Sequence, residues 1–331
     1  MKRRGFLKAI AGAGAALCAP IPAQARPNLE PIPTAVGMLF DSTLCIGCKA
    51  CVAACKAVNG MLPVVESDQP QYDSARDLSS RTLNVIKVYR DGTAARKDAE
   101  TDGYCFEKRS CMHCVDPGCV SVCPVTALYK HPVTGIVEYD ADACIGCRNC
   151  MAGCPYNVPQ YEYEDPFGQI RKCQLCNQAG VSRIDHGGLP ACVDVCPTGA
   201  TLFGRRDQLL AEAHRRLAAK PGEPFVYPRG RVDDAQHVHV APAPAYRQHV
   251  YGEREAGGTQ VLHIAAVPHD KLGLPHLPDR SYASIAEGVQ HTLYQGMVLP
   301  AAALVGLMWV VRRNRSQDVA ESGHDGGRDE P

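Results

Sequence analysis

Cysteine dominates the chemistry available to this sequence. The chain has 18 cysteines among 331 residues, far more than a core of this size uses for packing. Two of them, Cys18 and Cys105, stand alone, and the other sixteen form groups of four with short internal spacings. In chain order the groups are Cys45, Cys48, Cys51 and Cys55; Cys111, Cys114, Cys119 and Cys123; Cys144, Cys147, Cys150 and Cys154; and Cys173, Cys176, Cys192 and Cys196.

The spacing within these groups is typical of 4Fe-4S clusters. The third group reads Cys-x2-Cys-x2-Cys-x3-Cys-Pro and matches the bacterial ferredoxin run without deviation. The first group ends on Lys56 instead of proline, the second has one four-residue gap, and the fourth has 15 residues before Cys192. Short gaps let a tight loop wrap a cubane and direct backbone N–H groups at its sulfurs. Gly47 and Gly146 fit places where the backbone comes close. We therefore predict four clusters.

Two other chemistries use similar cysteines. Structural zinc also takes Cys-x2-Cys pairs, and an exported protein can oxidise its cysteines to disulfides. Zinc would need two such pairs or histidines, whereas three close cysteines with a more distant fourth are typical of a cluster. Disulfides across two residues would close small, strained loops. Clusters remain the favoured interpretation.

Internal repetition predicts two fused ferredoxin units. Residues 41–51 and 140–150 share an aspartate followed by Cys-Ile-Gly-Cys and a third cysteine in the same register. Only 20 residues separate groups two and three, and they contain strand patterns at 128–130 and 136–139 around a turn. These two groups would form a compact inner unit, which leaves groups one and four for an outer unit.

In two-cluster ferredoxins the fourth cysteine of each group ligates the other cluster of the pair. Pairing groups one with two and three with four is the alternative. With inner and outer units, exchange predicts these four ligand sets: Cys45, Cys48, Cys51 and Cys196 (cluster 1); Cys55, Cys173, Cys176 and Cys192 (cluster 2); Cys111, Cys114, Cys119 and Cys154 (cluster 3); Cys123, Cys144, Cys147 and Cys150 (cluster 4).

Both ends of the chain carry targeting or anchoring patterns. Residues 1–25 combine Arg3-Arg4, an apolar run and Ala23-Gln24-Ala25, which predicts a twin-arginine signal peptide. Residues 293–311 carry no charge and are followed by arginines, which predicts a transmembrane anchor at 291–311 with the tail 312–331 in the cytoplasm. A buried soluble helix is the alternative for the anchor, and the polar part of the tail, Ser316 to Pro331, is expected to be disordered.

The region between the cysteines and the anchor suggests no chemistry of its own. Residues 205–220 have the pattern of an amphipathic helix, and 223–280, rich in Pro, Gly and His, are expected to form an extended strap, with disorder as the alternative. His291 and the pair His237 and His239 are weak candidates for haem or metal, and His113 is expected to tune a cluster by hydrogen bonding.

Charge and motifs narrow the function. Lys plus Arg and Asp plus Glu both total 35, so no basic field favours nucleic acid as a partner. The sequence contains no nucleophile–base pair, phosphate loop or flavin fingerprint, and a catalytic cluster would need an open ligand position. We therefore expect a non-catalytic electron carrier.

Three further motifs bear on the family. They are Cys-Met-His-Cys-Val-Asp-Pro-Gly-Cys at 111–119, Cys-Pro-Tyr-Asn-Val-Pro at 154–159 and Lys-Cys-Gln-Leu-Cys-Asn at 172–177. With the four cysteine groups, they resemble the iron–sulfur subunits of the dimethyl-sulfoxide reductase and formate dehydrogenase type. One branch, the ferredoxin-like electron-transfer subunit of the periplasmic hydrogenase-2 system, is most similar from leader to anchor.

This resemblance implies a place in a complex. The subunit would carry electrons through four 4Fe-4S clusters. At one end its partner would be a nickel–iron hydrogenase, made of a small and a large subunit, and at the other an integral membrane, quinone-reacting subunit. It would lie at the periplasmic face of the inner membrane, and its ligand sets would be the exchanged ones given above. The alternative is the iron–sulfur subunit of a molybdopterin oxidoreductase, such as formate dehydrogenase or a sulfoxide or polysulfide reductase.

The expected fold class is α+β, with two fused ferredoxin-like 2×(4Fe-4S) units, a C-terminal extension and a single transmembrane helix. The expected domains are a signal peptide (1–25), a four-cluster core (26–204), a helix and strap (205–290), the anchor (291–311) and the tail (312–331). Within the core, the inner unit covers about 106–164 and the outer unit 35–105 with 165–204.

Overall fold

The computed structural model describes residues 26–64 and 75–322. The predicted signal peptide with Cys18, and residues 323–331 of the predicted tail, lie outside the described residues. The chain divides into two compact units. One is Pro27–Ser284, and the described part of the other is Arg26 with residues 285–322.

The unit Pro27–Ser284 mixes short helices with short strands. Its strands are β1 (Val36–Asp41), β2 (Val85–Arg90), β3 (Arg96–Lys97), β4 (Gly103–Arg109), β5 (Leu128–Lys130), β6 (Val137–Tyr139), β7 (Gln160–Tyr161), β8 (Ile170–Arg171), β9 (Thr201–Arg205), β10 (Pro224–Pro228), β11 (Gly230–Arg231), β12 (Val238–Pro242) and β13 (Val261–Ile264). Its helices are α1 (Ala50–Val58), α2 (Gly118–Ser121), α3 (Asn149–Ala152), α4 (Ala191–Asp194) and α5 (Arg206–Leu217), with a 3-10 turn at Glu255–Gly257. A further helix, α6 (Tyr282–Ser322), begins at its end.

A four-stranded sheet in the order β11-β9-β1-β13 forms the base of this unit. In β1, Met38 lies opposite Phe203 of the antiparallel β9 and Val261 of the parallel β13. Leu39 and Leu262 are fully buried in the sheet's core. The expectation of an extended strap over 223–280 is therefore wrong, because this region supplies strands β10 to β13, and two of them, β11 and β13, form the edges of the four-stranded sheet.

Helix α5 confirms the amphipathic pattern predicted for 205–220. Leu209 and Ala213 are fully buried and pack with Leu39 of β1. Asp207 in the first turn and basic residues in the last complement the helix dipole. The sequence pattern did not predict that Arg216, also on this helix, is completely buried.

The predicted inner unit contains the hairpin that the sequence indicated. Strands β5 and β6 pair antiparallel, with Leu128 opposite Tyr139. The first strand matches the prediction, and the second begins at Val137, one residue later than predicted. Helices α2 and α3 pack against each other beside this hairpin, and α1 packs against α4 in the outer unit.

Helix α6 runs without interruption through the segment predicted as an anchor. Within the residues that the structure describes, no helix is both long and apolar enough to cross a bilayer. The transmembrane helix predicted at 291–311 is therefore not confirmed. The disorder predicted for the tail from Ser316 is wrong as far as Ser322, because the helix continues to that residue.

Candidate cluster sites

All sixteen grouped cysteines lie in the described ranges, and none of the described cysteines forms a disulfide. Most are buried or half-buried, but Cys48 and Cys147 are exposed. The pKa of a thiol reports its surroundings, since burial disfavours the thiolate and so do neighbouring thiolates. Each raised pKa therefore identifies the cysteines nearest to that thiol.

At the first predicted site, cysteines from both ends of the core come together. Burial and then the thiolates of Cys51 and Cys196 raise the pKa of Cys45 to about 12. The same three residues pack in one apolar cluster with Phe40. Cys45 precedes α1, and Cys196 lies just after α4. A long-range contact therefore brings the distant fourth cysteine to the first group.

The second predicted site combines Cys55 of the first group with three cysteines of the fourth group. Burial and then the thiolates of Cys192 and Cys176 raise the pKa of Cys55 to about 12. Cys173 is half-buried, and burial followed by the thiolates of Cys55, Cys192 and Cys176 raises its pKa well above the usual range. The packing of α1 on α4 brings Cys55 to the fourth group.

The third predicted site shows the same exchange in the inner unit. Cys114 is half-buried, and burial followed by the thiolates of Cys154, Cys119 and Cys111 raises its pKa well above the usual range. Cys154 belongs to the next group in the sequence. Burial raises its own pKa to about 11, with Cys111 among its neighbours.

The fourth predicted site lies nearer the surface than the third. Burial and then the thiolates of Cys144 and Cys147 raise the pKa of Cys150 to about 11, with Cys123 contributing further. Cys123 comes from the second group, so this site also receives its fourth cysteine from the partner loop. At each of the four predicted sites, the thiols close to one another include the fourth cysteine that the exchange assigns to that site.

Electrostatic interactions between thiols of neighbouring sites place the four predicted cluster sites in a series. Cys51 of the first interacts with Cys192 of the second. Cys173 of the second interacts with Cys111 of the third. Cys119 of the third interacts with Cys150 of the fourth. The predicted cluster sites therefore follow one another in the order 1-2-3-4.

The loops have the backbone conformation that cluster binding requires. Gly47 and Gly146 have φ of 70° and 68°, a region that favours glycine. Backbone N–H groups point at thiol sulfurs: Gly146 N donates to Cys144 Sγ at 3.5 Å, and Leu175 N donates to Cys173 Sγ at 3.4 Å. Such N–H···S bonds stabilise cluster thiolates.

The donor chemistry fits an iron–sulfur cluster. Four thiols and inward N–H groups are the ligand environment of a cubane. The described residues contain no group of three or more His, Cys, Asp or Glu side chains arranged to hold a single metal ion. A cubane needs a wider ring of thiolates than one ion, because each thiolate binds a different iron atom.

Three lysines, two buried and one, Lys130, half-buried, lie beside these cysteines, and sequence analysis missed them as part of the site. Lys130 Nζ donates to Cys114 O and Gly135 O at 2.8 Å, and burial lowers the pKa of Lys130 to about 8. Lys172 Nζ donates to Cys173 O at 3.1 Å. Lys108 is 2% exposed. Only the position of Lys172 before Cys173 offered a sequence signal.

His113 is fully buried beside the third site. Its Nδ1 accepts a hydrogen bond from Val137 N at 3.1 Å, so its proton lies on Nε2. That Nε2 has no hydrogen-bond partner among the described residues. A buried N–H of this kind fits the role predicted for His113, donation to a cluster sulfur.

The other histidine candidates have structural explanations or stay predictions. His237 Nδ1 lies 2.8 Å from Asp234 Oδ2, and the His239 ring stacks on Tyr227. Neither is grouped with other metal-binding side chains in the described part of the chain. His291 lies on the exposed part of α6, and its ligand role is untested.

Cys105, which has no place in a quartet, is completely buried. It packs with Val267 and Leu272, and burial raises the pKa of its thiol to about 12. This surrounding is that of an apolar core residue.

Comparison with known proteins agrees with this chemistry. Residues 103–206 match the model of the 4Fe-4S dicluster domain, which defines the chain as an iron–sulfur protein. Over its whole length, the chain is 52% identical to hydrogenase-2 operon protein HybA of Escherichia coli O157:H7, with 99% of each chain covered. The nitrate-inducible formate dehydrogenase iron–sulfur subunit of Escherichia coli K12 is 32% identical, over 87% of this chain and 90% of that protein. A formate dehydrogenase iron–sulfur subunit of Haemophilus influenzae is 30% identical, over 93% of this chain and 92% of that protein.

The chain therefore belongs to the family of iron–sulfur electron-transfer subunits that includes HybA and these formate dehydrogenase subunits. The resemblance identified from the cysteine motifs is confirmed. The number of clusters and the ligands of each stay predictions.

Proposed function

We propose that this chain conducts electrons through four 4Fe-4S clusters within a membrane-associated complex at the periplasmic face of the inner membrane. One partner would be the small and large subunits of a hydrogenase, and the other an integral membrane, quinone-reacting subunit. The observation that carries this proposal is the series of four cysteine groups, each completed by a cysteine from a distant segment.

The residues of the chain have distinct tasks in this function. When bound, each cluster supplies a one-electron redox centre. The sixteen thiolates hold the clusters in the sets predicted above, and the buried positions of Cys111 and Cys176 limit the access of water to the middle of the series. The backbone N–H groups of Gly146 and Leu175 stabilise the negative charge of the thiolates.

The two ends of the series lie at the surface of their unit. At the first site Cys48 is exposed and its neighbour Ile46 is 55% exposed. At the fourth site Cys147 is exposed and Ile145 is 65% exposed. Apolar residues on an exposed cluster loop suit docking against a partner. We infer that electrons enter and leave at these two ends.

Catalysis belongs to a partner subunit in this proposal. A cluster that activates a substrate needs an iron with an open ligand position, and each of the four sets here has four thiols. The greater identity to HybA than to the formate dehydrogenase subunits favours a hydrogenase as the catalytic partner.

Metal analysis of the purified full chain tests the proposal. Four cubanes predict about 16 iron atoms and as much acid-labile sulfide per chain, with no turnover of dihydrogen or formate by the chain alone. Stoichiometric zinc with little iron, or turnover by the isolated chain, would refute it.

A further inference from the structure

Lys108 is a buried cation without a conventional partner. It lies on β4 opposite Ile86 of β2, and its side chain is among the largest in the chain to be fully buried. Its Nζ has no hydrogen-bond partner among the described residues. Burying an ammonium group costs several kcal/mol unless something nearby compensates its charge.

No carboxylate on its own strand provides that compensation. The strand neighbour Glu107 points to the opposite face, because side chains alternate along a strand. Glu107 Oε1 instead lies 2.6 Å from Nδ1 of His263, and both residues are buried. The charge of Lys108 must be compensated by its other neighbours.

Those neighbours are thiols from two different predicted clusters. Ile86, which lies opposite Lys108 and therefore on the same face of the sheet, packs with Cys45 and Cys51 of the first set. Burial alone would lower the pKa of Lys108, but the thiolates of Cys192 and Cys51, and then Cys173, raise it above its usual value. Reciprocally, the charge of Lys108 favours the thiolate forms of Cys51 and Cys55. Cys51 belongs to the first set, whereas Cys55, Cys173 and Cys192 belong to the second.

We propose that Lys108 is a shared counter-cation for clusters 1 and 2 that raises the reduction potential of both. Each reduction adds one negative charge to a cluster already bound by four thiolates. A fixed cation inside a low-dielectric core stabilises the reduced form more than the oxidised form. Because Lys108 lies between the two sites, it acts on both and makes each a better electron acceptor.

The inference rests on the four-cluster function proposed above, so its test includes the unmodified chain. Lys108→Met removes the charge and keeps an unbranched side chain of similar length. Lys87→Met is the matched control, because Lys87 lies on the adjacent strand β2, is partly exposed and pairs with Asp77. The readout is a potentiometric titration of the full chain followed by electron paramagnetic resonance, with iron measured in each sample.

At a fixed ambient potential, Lys108→Met should lower the reduced-to-oxidised ratio of clusters 1 and 2 at least tenfold, equivalent to 59 mV for a one-electron couple. Clusters 3 and 4 should be unaffected, and Lys87→Met should leave all four unchanged. Unchanged potentials in Lys108→Met, or an equal fall in all four, would overturn the inference.

A second variant covers the case in which Lys108→Met fails to retain iron. Lys108→Arg keeps the charge, so retention of all four clusters by this variant alone would support a need for the cation. Loss of iron from both variants would assign Lys108 a packing role instead. Fewer than four clusters in the unmodified chain would refute the proposed function, a result distinct from either outcome for Lys108.

Discussion

The middle and the ends of the cysteine series differ in their surroundings. In the middle, Cys111 and Cys176 are buried, and Lys130 and Lys172 donate to the backbone carbonyls of Cys114 and Cys173 beside them. At the ends, loops carrying Cys48 and Cys147 reach the surface and present exposed isoleucines. The contrast suggests that the middle of the series and its two ends have different functions.

Burial and fixed charge suit the adjustment of potential, since both act strongly where water is absent. Exposure suits exchange with a partner, because a donor must approach closely. A chain that only stored electrons would have no reason to expose two loops at opposite ends of its series. The difference therefore supports conduction through the chain.

The largest expected effect is loss of one whole site from the middle. Cys154→Ser should remove the cluster held by Cys111, Cys114 and Cys119, because Cys154 lies beside those residues and not with its sequence neighbours. Iron should fall by about four atoms per chain. The cluster signals of the variant identify which site is lost.

Cys105→Ser is the matched control for that variant, since Cys105 is buried in an apolar cluster away from the quartets. It should leave iron content unchanged. Loss of the site formed by Cys144, Cys147 and Cys150 in the Cys154 variant would contradict the exchanged sets.

A large effect on stability is expected at α5, which packs on strand β1; β1 ends just before the cysteine loop of the first site. Arg216 on α5 is fully buried, with Nη1 2.8 Å from Asp41 Oδ2 and Nε 2.7 Å from Glu212 Oε1. Arg216→Met should cost roughly 3–5 kcal/mol in the free energy of unfolding, because it leaves Asp41 as an uncompensated buried charge. Denaturant unfolding measures this cost.

Its neighbour provides the comparison. Arg215 pairs with the same Glu212 at 2.7 Å, but its side chain is 47% exposed. Arg215→Met should cost less than about 1 kcal/mol. Equal costs for the two variants would show that burial of the Arg216 pair does not govern the stability of this region.

The cysteine loops at the two ends of the series should differ in how much stability they lose when a glycine is replaced by alanine. Gly47 and Gly146 have nearly the same φ, which costs an alanine about 1–2 kcal/mol. A Cβ on Gly47 would lie 2.3 Å from the Phe106 ring, whereas at Gly146 the nearest atom, Tyr161 Oη, is 3.4 Å away.

Gly47→Ala should therefore destabilise more than Gly146→Ala, by a further roughly 1–3 kcal/mol for overpacking. Thermal unfolding of the two variants with intact clusters measures the difference. Indistinguishable unfolding temperatures would mean that the Phe106 ring moves aside without cost.

The smallest effect on the fold, and the most specific one on function, is expected at the exposed isoleucines. Ile46→Ser and Ile145→Ser should change stability by no more than about 0.5 kcal/mol. Each should weaken docking to one partner roughly tenfold, about 1.4 kcal/mol, and leave the midpoint potentials in place. Titration of the variants with each partner separates the two ends; full affinity of both variants for both partners would argue against docking there.

The sequence predicted the family and the cysteine groups, because cluster ligation imposes short spacings that are visible in a linear chain. It also predicted the hairpin of β5 and β6 and the helix α5, whose patterns are local. The same local reasoning related the loops at Gly47 and Gly146, which do adopt matching backbone conformations.

Long-range features were not visible in the same way. Strand β13 was mistaken for part of a strap because its pairing with β1 joins residues more than 200 positions apart, with no local turn to indicate it. The buried lysines were missed for a related reason. A lysine such as Lys108 has the sequence signature of a surface residue, and only the fold encloses it among thiols.

Diffraction at the iron absorption edge, from crystals of the purified full chain, locates each cluster together with its ligands. We expect four separate iron peaks in the order 1-2-3-4, each within bonding distance of three cysteines from one segment and a fourth from its partner segment. Fewer than four peaks, or a peak whose four cysteines all come from one group, would contradict it.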